Sequence, residues 1–98
     1  MIVSNDMIIS IVEYNLKVRD MEGNVITTLL GHTSHIYDIK VLPYNNIVSI
    51  SRDRTYRIWD LETLQCINVR HHSAKANNIM ILEDKIITSG PKHLIVWK

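Results

Sequence analysis

The strongest constraint on this chain is that its sequence repeats itself at a period of about 40 residues. Residues 1–20 align without a gap on residues 79–98, and residues 31–41 align on residues 71–81. Apolar residues coincide at several of these positions: Val3 falls on Ile81, Leu16 on Leu94 and Val18 on Val96. A period of this length is typical of a small structural unit that buries its apolar face only by stacking on its neighbours.

Each repeat consists of short β-rich segments separated by turn residues. The middle repeat reads HIYDIKVL, NIVSIS, TYRIWD and QCINVR, with PYNN, RD and LETL between them. Isoleucine is abundant and phenylalanine is absent, which favours β-branched residues in strands. Four antiparallel strands in about 40 residues are typical of one blade of a β-propeller.

We therefore predict an all-β fold, a partial β-propeller of about three four-stranded antiparallel blades. The strands should number about eleven, arranged 4+4+3, and they should not close a ring alone, because a ring needs at least about four blades. Residues 1–30 are expected to form a truncated, degenerate repeat, 31–70 a complete repeat, and 71–98 a repeat that lacks its last strand.

The middle repeat resembles the WD-repeat (beta-transducin-like) β-propeller family. It contains GH at residues 31–32, then SISRDRT at 49–55 and YRIWD at 56–60, in the order and spacing of that family. The third repeat keeps His72, Thr88 and Trp97 and has lost the aspartate. The first repeat keeps Ser10 and Asp20. The resemblance covers essentially the whole chain.

In that family a histidine, a serine or threonine, an aspartate and a tryptophan form a hydrogen-bonded tetrad inside the blade. The resemblance assigns this structural tetrad to His32, Ser49, Asp53 and Trp59. A neutral histidine can donate to the aspartate and accept from the serine, while the indole N–H completes the chain at the serine. A partial tetrad is expected in the third repeat, formed by His72, Thr88 and Trp97.

Serine, histidine and aspartate could instead form a hydrolase triad. Such a site needs an exposed nucleophile, an oxyanion hole and a pocket. No glycine follows Ser49 closely, so the chain has no nucleophile elbow, and Trp59 would compete for the serine oxygen. We expect no catalytic residues and no enzymatic activity.

The resemblance implies a scaffold that binds proteins or peptides on the face where the first strands begin and the turns between second and third strands emerge. The residues expected there are His35, Tyr37, Arg52, Lys75 and Asn77. An alternative function is self-assembly, in which further copies or a partner supply the missing blades through open edges.

Other partners and ligands are not expected. A net charge of +1 gives no reason to predict nucleic acid or an anionic membrane, and no apolar run is long enough to span a bilayer. One cysteine, Cys66, fits an intracellular location, cytoplasmic or nuclear. Adjacent histidines such as residues 71–72 point to opposite faces of a strand, so they seldom bind one metal ion together. We predict no metal ion and no other cofactor. The arginines of SRDRTYR are expected to be solvated.

Overall fold

The computed structural model describes residues 2–71, 76–83, 85–91 and 93–97. Within these ranges the chain forms eleven strands in three antiparallel sheets, as alternating apolar residues and turn signals predict. No helix in the described ranges is long and apolar enough to cross a lipid bilayer.

Sheet 1 is a four-stranded meander in which each strand pairs with the next. Its strands are β1 (Ile2–Ser4), β2 (Met7–Val12), β3 (Asn15–Asp20) and β4 (Val25–Leu29). The turn into β4 is held by the Asp20 carboxylate, which accepts the N–H groups of Glu22 and Asn24, both at 2.9 Å.

Sheet 2 has the same meander topology with β5 (Ile36–Leu42), β6 (Asn46–Ser51), β7 (Thr55–Asp60) and β8 (Gln65–His71). Two bulges interrupt its register, one at Tyr37 in β5 and one in β8 opposite Ile58 and Trp59. A bulge bends its strand and redirects the extra side chain, which places Tyr37 at the exposed end of β5.

Sheet 3 contains β9 (Asn78–Leu82), β10 (Lys85–Gly90) and β11 (His93–Trp97). The strand order β11-β10-β9 leaves β11 at one edge of the described sheet. The first strands of the three sheets lie side by side, with β5 in contact with β1 and β9.

The sheets stack face to face, and sheet 2 is buried on both sides. The cluster between sheets 1 and 2 includes Ile9, Leu16 and Ile47, all fully buried. The cluster between sheets 2 and 3 includes Val48 and Ile50, also fully buried. The strands of sheet 2 carry apolar residues on both faces, and each face packs against a neighbouring sheet.

The arrangement confirms the predicted all-β fold with 4+4+3 strands that do not close a ring in the described part of the chain. The repeat boundaries at 1–30, 31–70 and 71–98 stay predictions. One face of sheet 3 is strongly apolar and exposed, with side chains that are 48–67% accessible at four positions, Met80, Leu82, Leu94 and Val96.

Candidate functional site

His32 is the centre of a hydrogen-bond chain on the face of sheet 2 that packs against sheet 1. Its Nδ1 lies 2.9 Å from Asp53 Oδ2, and its Nε2 lies 2.7 Å from Ser49 Oγ. Trp59 Nε1 donates to the same serine oxygen at 2.9 Å. Because the indole can only donate and the carboxylate can only accept, the chain runs in one direction, from Trp59 through Ser49 and His32 to Asp53.

Asp53 lies in the turn between β6 and β7 and accepts more hydrogen bonds than the sequence indicated. Thr33 N–H donates to its Oδ2 at 3.0 Å, and Thr55 donates to its Oδ1 from the backbone at 2.9 Å and from the hydroxyl at 2.5 Å. Burial alone raises the pKa of Asp53, but these bonds and the contact with His32 outweigh it and lower the pKa to about 2. A threonine two residues after the aspartate is the signal that could have identified Thr55.

Burial of the imidazole lowers the pKa of His32 below its ordinary value, although Asp53 opposes the shift. The charge of Arg57 lowers the pKa further. Contrary to the expectation of a solvated side chain, Arg57 Nε is buried and has no hydrogen-bond partner among the described residues. Its guanidinium packs against Gly31, where a Cβ would lie only 3.0 Å from Arg57 Nη1, so glycine leaves the space that the arginine occupies.

Ser51 is a second buried link that the sequence did not single out. Its hydroxyl oxygen lies 3.0 Å from the carbonyl oxygens of both Ser34 and His35 and accepts the N–H of Asp53 at 3.1 Å. This serine therefore joins the turn that contains Asp53 to the segment that leads into β5.

The described residues of the other two sheets show parts of the tetrad. In sheet 3, Trp97 Nε1 donates to the buried Thr88 Oγ1 at 2.8 Å, whereas His72 lies outside the described residues. In sheet 1, strand register places Ser10 in the position of the tetrad serine and Arg19 in that of the tryptophan. Of the three sheets, sheet 2 is therefore the one whose described residues form the whole chain.

An aromatic contact joins sheets 1 and 2 at the end of the molecule where β5 begins. The rings of Tyr14 and His35 lie edge to face, with centroids 5.1 Å apart. The backbones are linked beside them, because Ile36 N–H donates to Glu13 O at 3.1 Å. The sequence reasoning missed Tyr14, since the contact joins turns of two different repeats.

Tyr37 and Arg52 lie at the same end of sheet 2. Arg52 N–H donates to His35 O at 2.8 Å, and the side chains of Arg52 and His35 are exposed. The side chain of Tyr37 is also exposed, with 44% of its surface accessible. We call this exposed surface the upper patch, and it consists of Tyr14, His35, Tyr37 and Arg52.

Two further residues were predicted to bind partners. Asn77 is exposed at the corresponding end of sheet 3, where its N–H donates to Ser89 O at 3.1 Å. Lys75 lies outside the described residues. Among the residues that the structure describes, no group of three or more histidine, cysteine, aspartate or glutamate side chains could hold a metal ion.

Comparisons with curated proteins and with solved structures both find proteins similar to this chain. No family model matches the chain. The chain is 35% identical over 72 residues to the guanine nucleotide-binding protein subunit beta-1 of Caenorhabditis briggsae. It is 33% identical over 79 residues to the guanine nucleotide-binding protein G(I)/G(S)/G(T) subunit beta-1 of Homarus americanus. These matches cover 72% and 79% of this chain.

A solved structure is similar over almost the whole chain. The crystal structure of the WD40 beta propeller domain of Doa1 superimposes with a TM-score of 0.86 and 32% identity over 98% of this chain. The match covers 34% of the Doa1 chain, and the matches to the two curated relatives cover 21% and 23% of their lengths.

Replacing Asp53 tests the hydrogen-bond chain. We expect Asp53→Ala to lower the free energy of unfolding by ~1–3 kcal/mol, because the buried His32 and the N–H groups of Thr33 and Thr55 lose their acceptor. Urea unfolding followed by tryptophan fluorescence measures the change. The matched control is Glu22→Ala, which removes an exposed carboxylate from another turn and should cost less than about 0.5 kcal/mol. Equal effects of the two substitutions would contradict the account.

Acidification should destabilise the protein in two steps. Because the pKa of His32 is lower in the folded protein, the unfolded chain binds the proton more readily, and stability falls as the pH drops below about 6.5. Asp53 adds a second loss between about pH 4 and about pH 2, since its pKa falls to about 2 on folding.

The urea midpoint at pH 7.5 and pH 5.5 measures the first step. The wild-type protein should lose stability between the two values, and His32→Gln should lose markedly less, because that residue does not titrate. Identical losses in the two proteins would show that His32 is not the titrating group.

Proposed function

The chain belongs to the WD40 β-propeller family, and on that premise we propose that it is a non-catalytic scaffold that binds a partner protein through the upper patch. The observation that carries the proposal is the exposed aromatic pair Tyr14 and His35, which lies at the junction of two sheets beside Tyr37 and Arg52. Tyrosine and arginine are enriched among the residues that dominate binding energy at protein interfaces.

The rigidity of the upper patch supports this function. The backbone of His35 is held at its carbonyl oxygen, which accepts from Arg52 N–H and lies within hydrogen-bond distance of the Ser51 hydroxyl. The neighbouring Ile36 is bound to Glu13 of sheet 1. Side chains that project from a fixed backbone lose less conformational freedom on binding, which favours affinity.

The geometry of Ser49 argues against a hydrolase. Its side chain is fully buried, and its oxygen already accepts the indole N–H of Trp59 while the hydroxyl faces His32. A nucleophile must be reachable by the substrate and free to attack. A serine enclosed in this way serves to hold strands together.

The relatives are compatible with a protein partner. Two of them are named as subunits of guanine nucleotide-binding proteins, that is, as components of assemblies. We extend this to the present chain as a proposal: its partner is a protein or peptide, met in the cytoplasm or nucleus, and Asn77 extends the binding surface along sheet 3. Lys75, which lies outside the described residues, stays a predicted binding residue.

Self-association remains the second candidate function. It is favoured by the exposed apolar face of sheet 3, where Leu94 is 67% accessible and Met80 and Leu82 are each 58% accessible. Contiguous apolar surface of this kind usually lies against another protein surface.

A peptide-selection experiment tests the upper patch. Peptides selected from a random library on the wild-type protein are measured against Tyr37→Ala/Arg52→Ala, and we expect at least one family of peptides to lose affinity by about tenfold or more. The matched control is Tyr44→Asn, which removes a tyrosine that is 92% exposed at the opposite end of β5 and should leave this affinity unchanged. If every selected peptide binds the double variant as tightly as the wild type, the upper patch is not the binding surface.

A further inference from the structure

The upper patch has charges of opposite sign on its two sides. Backbone hydrogen bonds set the order of its residues, because Glu13 O accepts the N–H of Ile36 at 3.1 Å and His35 O accepts that of Arg52 at 2.8 Å. The segment of His35 and Ile36 therefore lies between Glu13 of sheet 1 and Arg52 of sheet 2. The side chains of Glu13 and Arg52 are both exposed, so the patch is negative on the side of sheet 1 and positive on the side of sheet 2.

The positive charge of Arg52 is directed to solvent. Two other arginines of sheet 2 are held within the protein, because Arg57 packs against Gly31 and Arg70 forms a side-chain hydrogen bond with Tyr56. The guanidinium of Arg52, by contrast, makes no ion pair with an aspartate or glutamate in the described part of the chain. Its five N–H donors can therefore meet an acceptor that a partner supplies.

The carboxylate next to Arg52 in the chain is turned away from this surface. The side chain of Asp53 is 6% accessible, and its oxygens accept hydrogen bonds from His32 and Thr55 inside the sheet. Arg52 and Arg54, on either side of it in the same turn, are both exposed. The turn therefore presents positive charge outward and keeps its negative charge within the blade.

Aromatic rings lie beside this positive turn. Tyr14 and His35 are in edge-to-face contact, and Tyr14 and Tyr37 are each 44% accessible. An apolar side chain that covers these rings removes water from the neighbouring guanidinium, and a charge pair gains strength as water is excluded from it. The patch therefore suits a segment in which an anionic group stands next to an apolar side chain.

We propose that the upper patch selects an acidic segment of its partner, in which an aspartate or glutamate side chain pairs with Arg52 and a neighbouring apolar side chain lies on Tyr14 and Tyr37. A carboxylate matches the fork of a guanidinium with two parallel hydrogen bonds. Glu13 fixes the orientation of the segment, because it repels a carboxylate from the side of sheet 1. The inference rests on the proposed function, since it gives the chemistry of the partner at the same surface.

Two random peptide libraries of equal length test the acidic preference. Both are selected on the wild-type protein, and in the second library asparagine and glutamine take the places of aspartate and glutamate. We expect the first library to yield the tighter binders, and replacement of their acidic residue by its amide should weaken binding by about tenfold or more. A rise in salt from about 0.05 M to about 0.5 M should weaken the acidic peptides severalfold and leave amide peptides nearly unchanged.

Three protein variants locate the carboxylate on the patch. Arg52→Gln should weaken the selected acidic peptide by about tenfold or more. The matched control is Lys40→Gln, which also removes one positive charge from sheet 2, at a side chain that is 47% accessible in the middle of β5, and should leave binding unchanged. Glu13→Gln removes the repelling charge and should strengthen binding. Melting curves confirm that the variants are folded.

An exchange of charges tests the pairing itself. Arg52→Glu should lose the acidic peptide and should bind the same peptide with lysine at the acidic position more tightly than the wild type does. Absence of this exchange would overturn the proposal.

The outcomes separate this inference from the scaffold function. Peptides that lose affinity on Tyr37→Ala, yet bind equally well with amides in place of their acidic residues, would overturn the acidic preference and leave the upper patch as the binding surface. If no selected peptide responds to Tyr37→Ala or to Arg52→Gln, the upper patch is not the binding surface, and both proposals fail.

Discussion

The hydrogen bond between His32 and Asp53 is the constraint on which the rest of sheet 2 depends. It joins the segment before β5 to the turn between β6 and β7, and it continues through Ser49 to Trp59 in β7. All of these groups are buried or nearly so, and an unpaired polar group there would cost about 1–3 kcal/mol. The chain therefore stabilises the sheet only when it is complete, and the lowered pKa of both titrating groups keeps the imidazole neutral and the carboxylate charged at neutral pH.

The binding surface takes its shape from the same contacts. Asp53 holds Thr33 and Thr55, and Ser51 next to it joins the backbone of His35. These bonds lie inside the blade, yet their effect is to fix the two loops that carry the exposed side chains of the upper patch. The buried hydrogen bonds inside the sheet therefore also fix the positions of the exposed aromatic side chains at its end.

The repeat period and the turn residues predicted the strands well, because alternation and turn chemistry are local properties of the sequence. The resemblance of the middle repeat to WD-repeat proteins assigned the tetrad to His32, Ser49, Asp53 and Trp59. Three features of the structure could not be predicted from the sequence. The burial of Arg57 depends on the absence of a side chain at Gly31.

The remaining two features arise between repeats. The contact of Tyr14 with His35 joins turns of neighbouring sheets, and no local pattern encodes their separation. A groove lined by Ile58 and Ile86 is formed by side chains of two neighbouring sheets, so no single repeat encodes it. Strands within a repeat can be predicted from local sequence, whereas the packing between repeats can be described only from the three-dimensional structure.

Nitrogen NMR of the imidazole at pH 7 shows whether a neutral His32 links Ser49 and Trp59 to Asp53. We expect a neutral ring with its proton on Nδ1, together with slow exchange of the Trp59 indole proton with solvent. A positively charged ring, or a proton on Nε2 with rapid exchange of the indole proton, would contradict it.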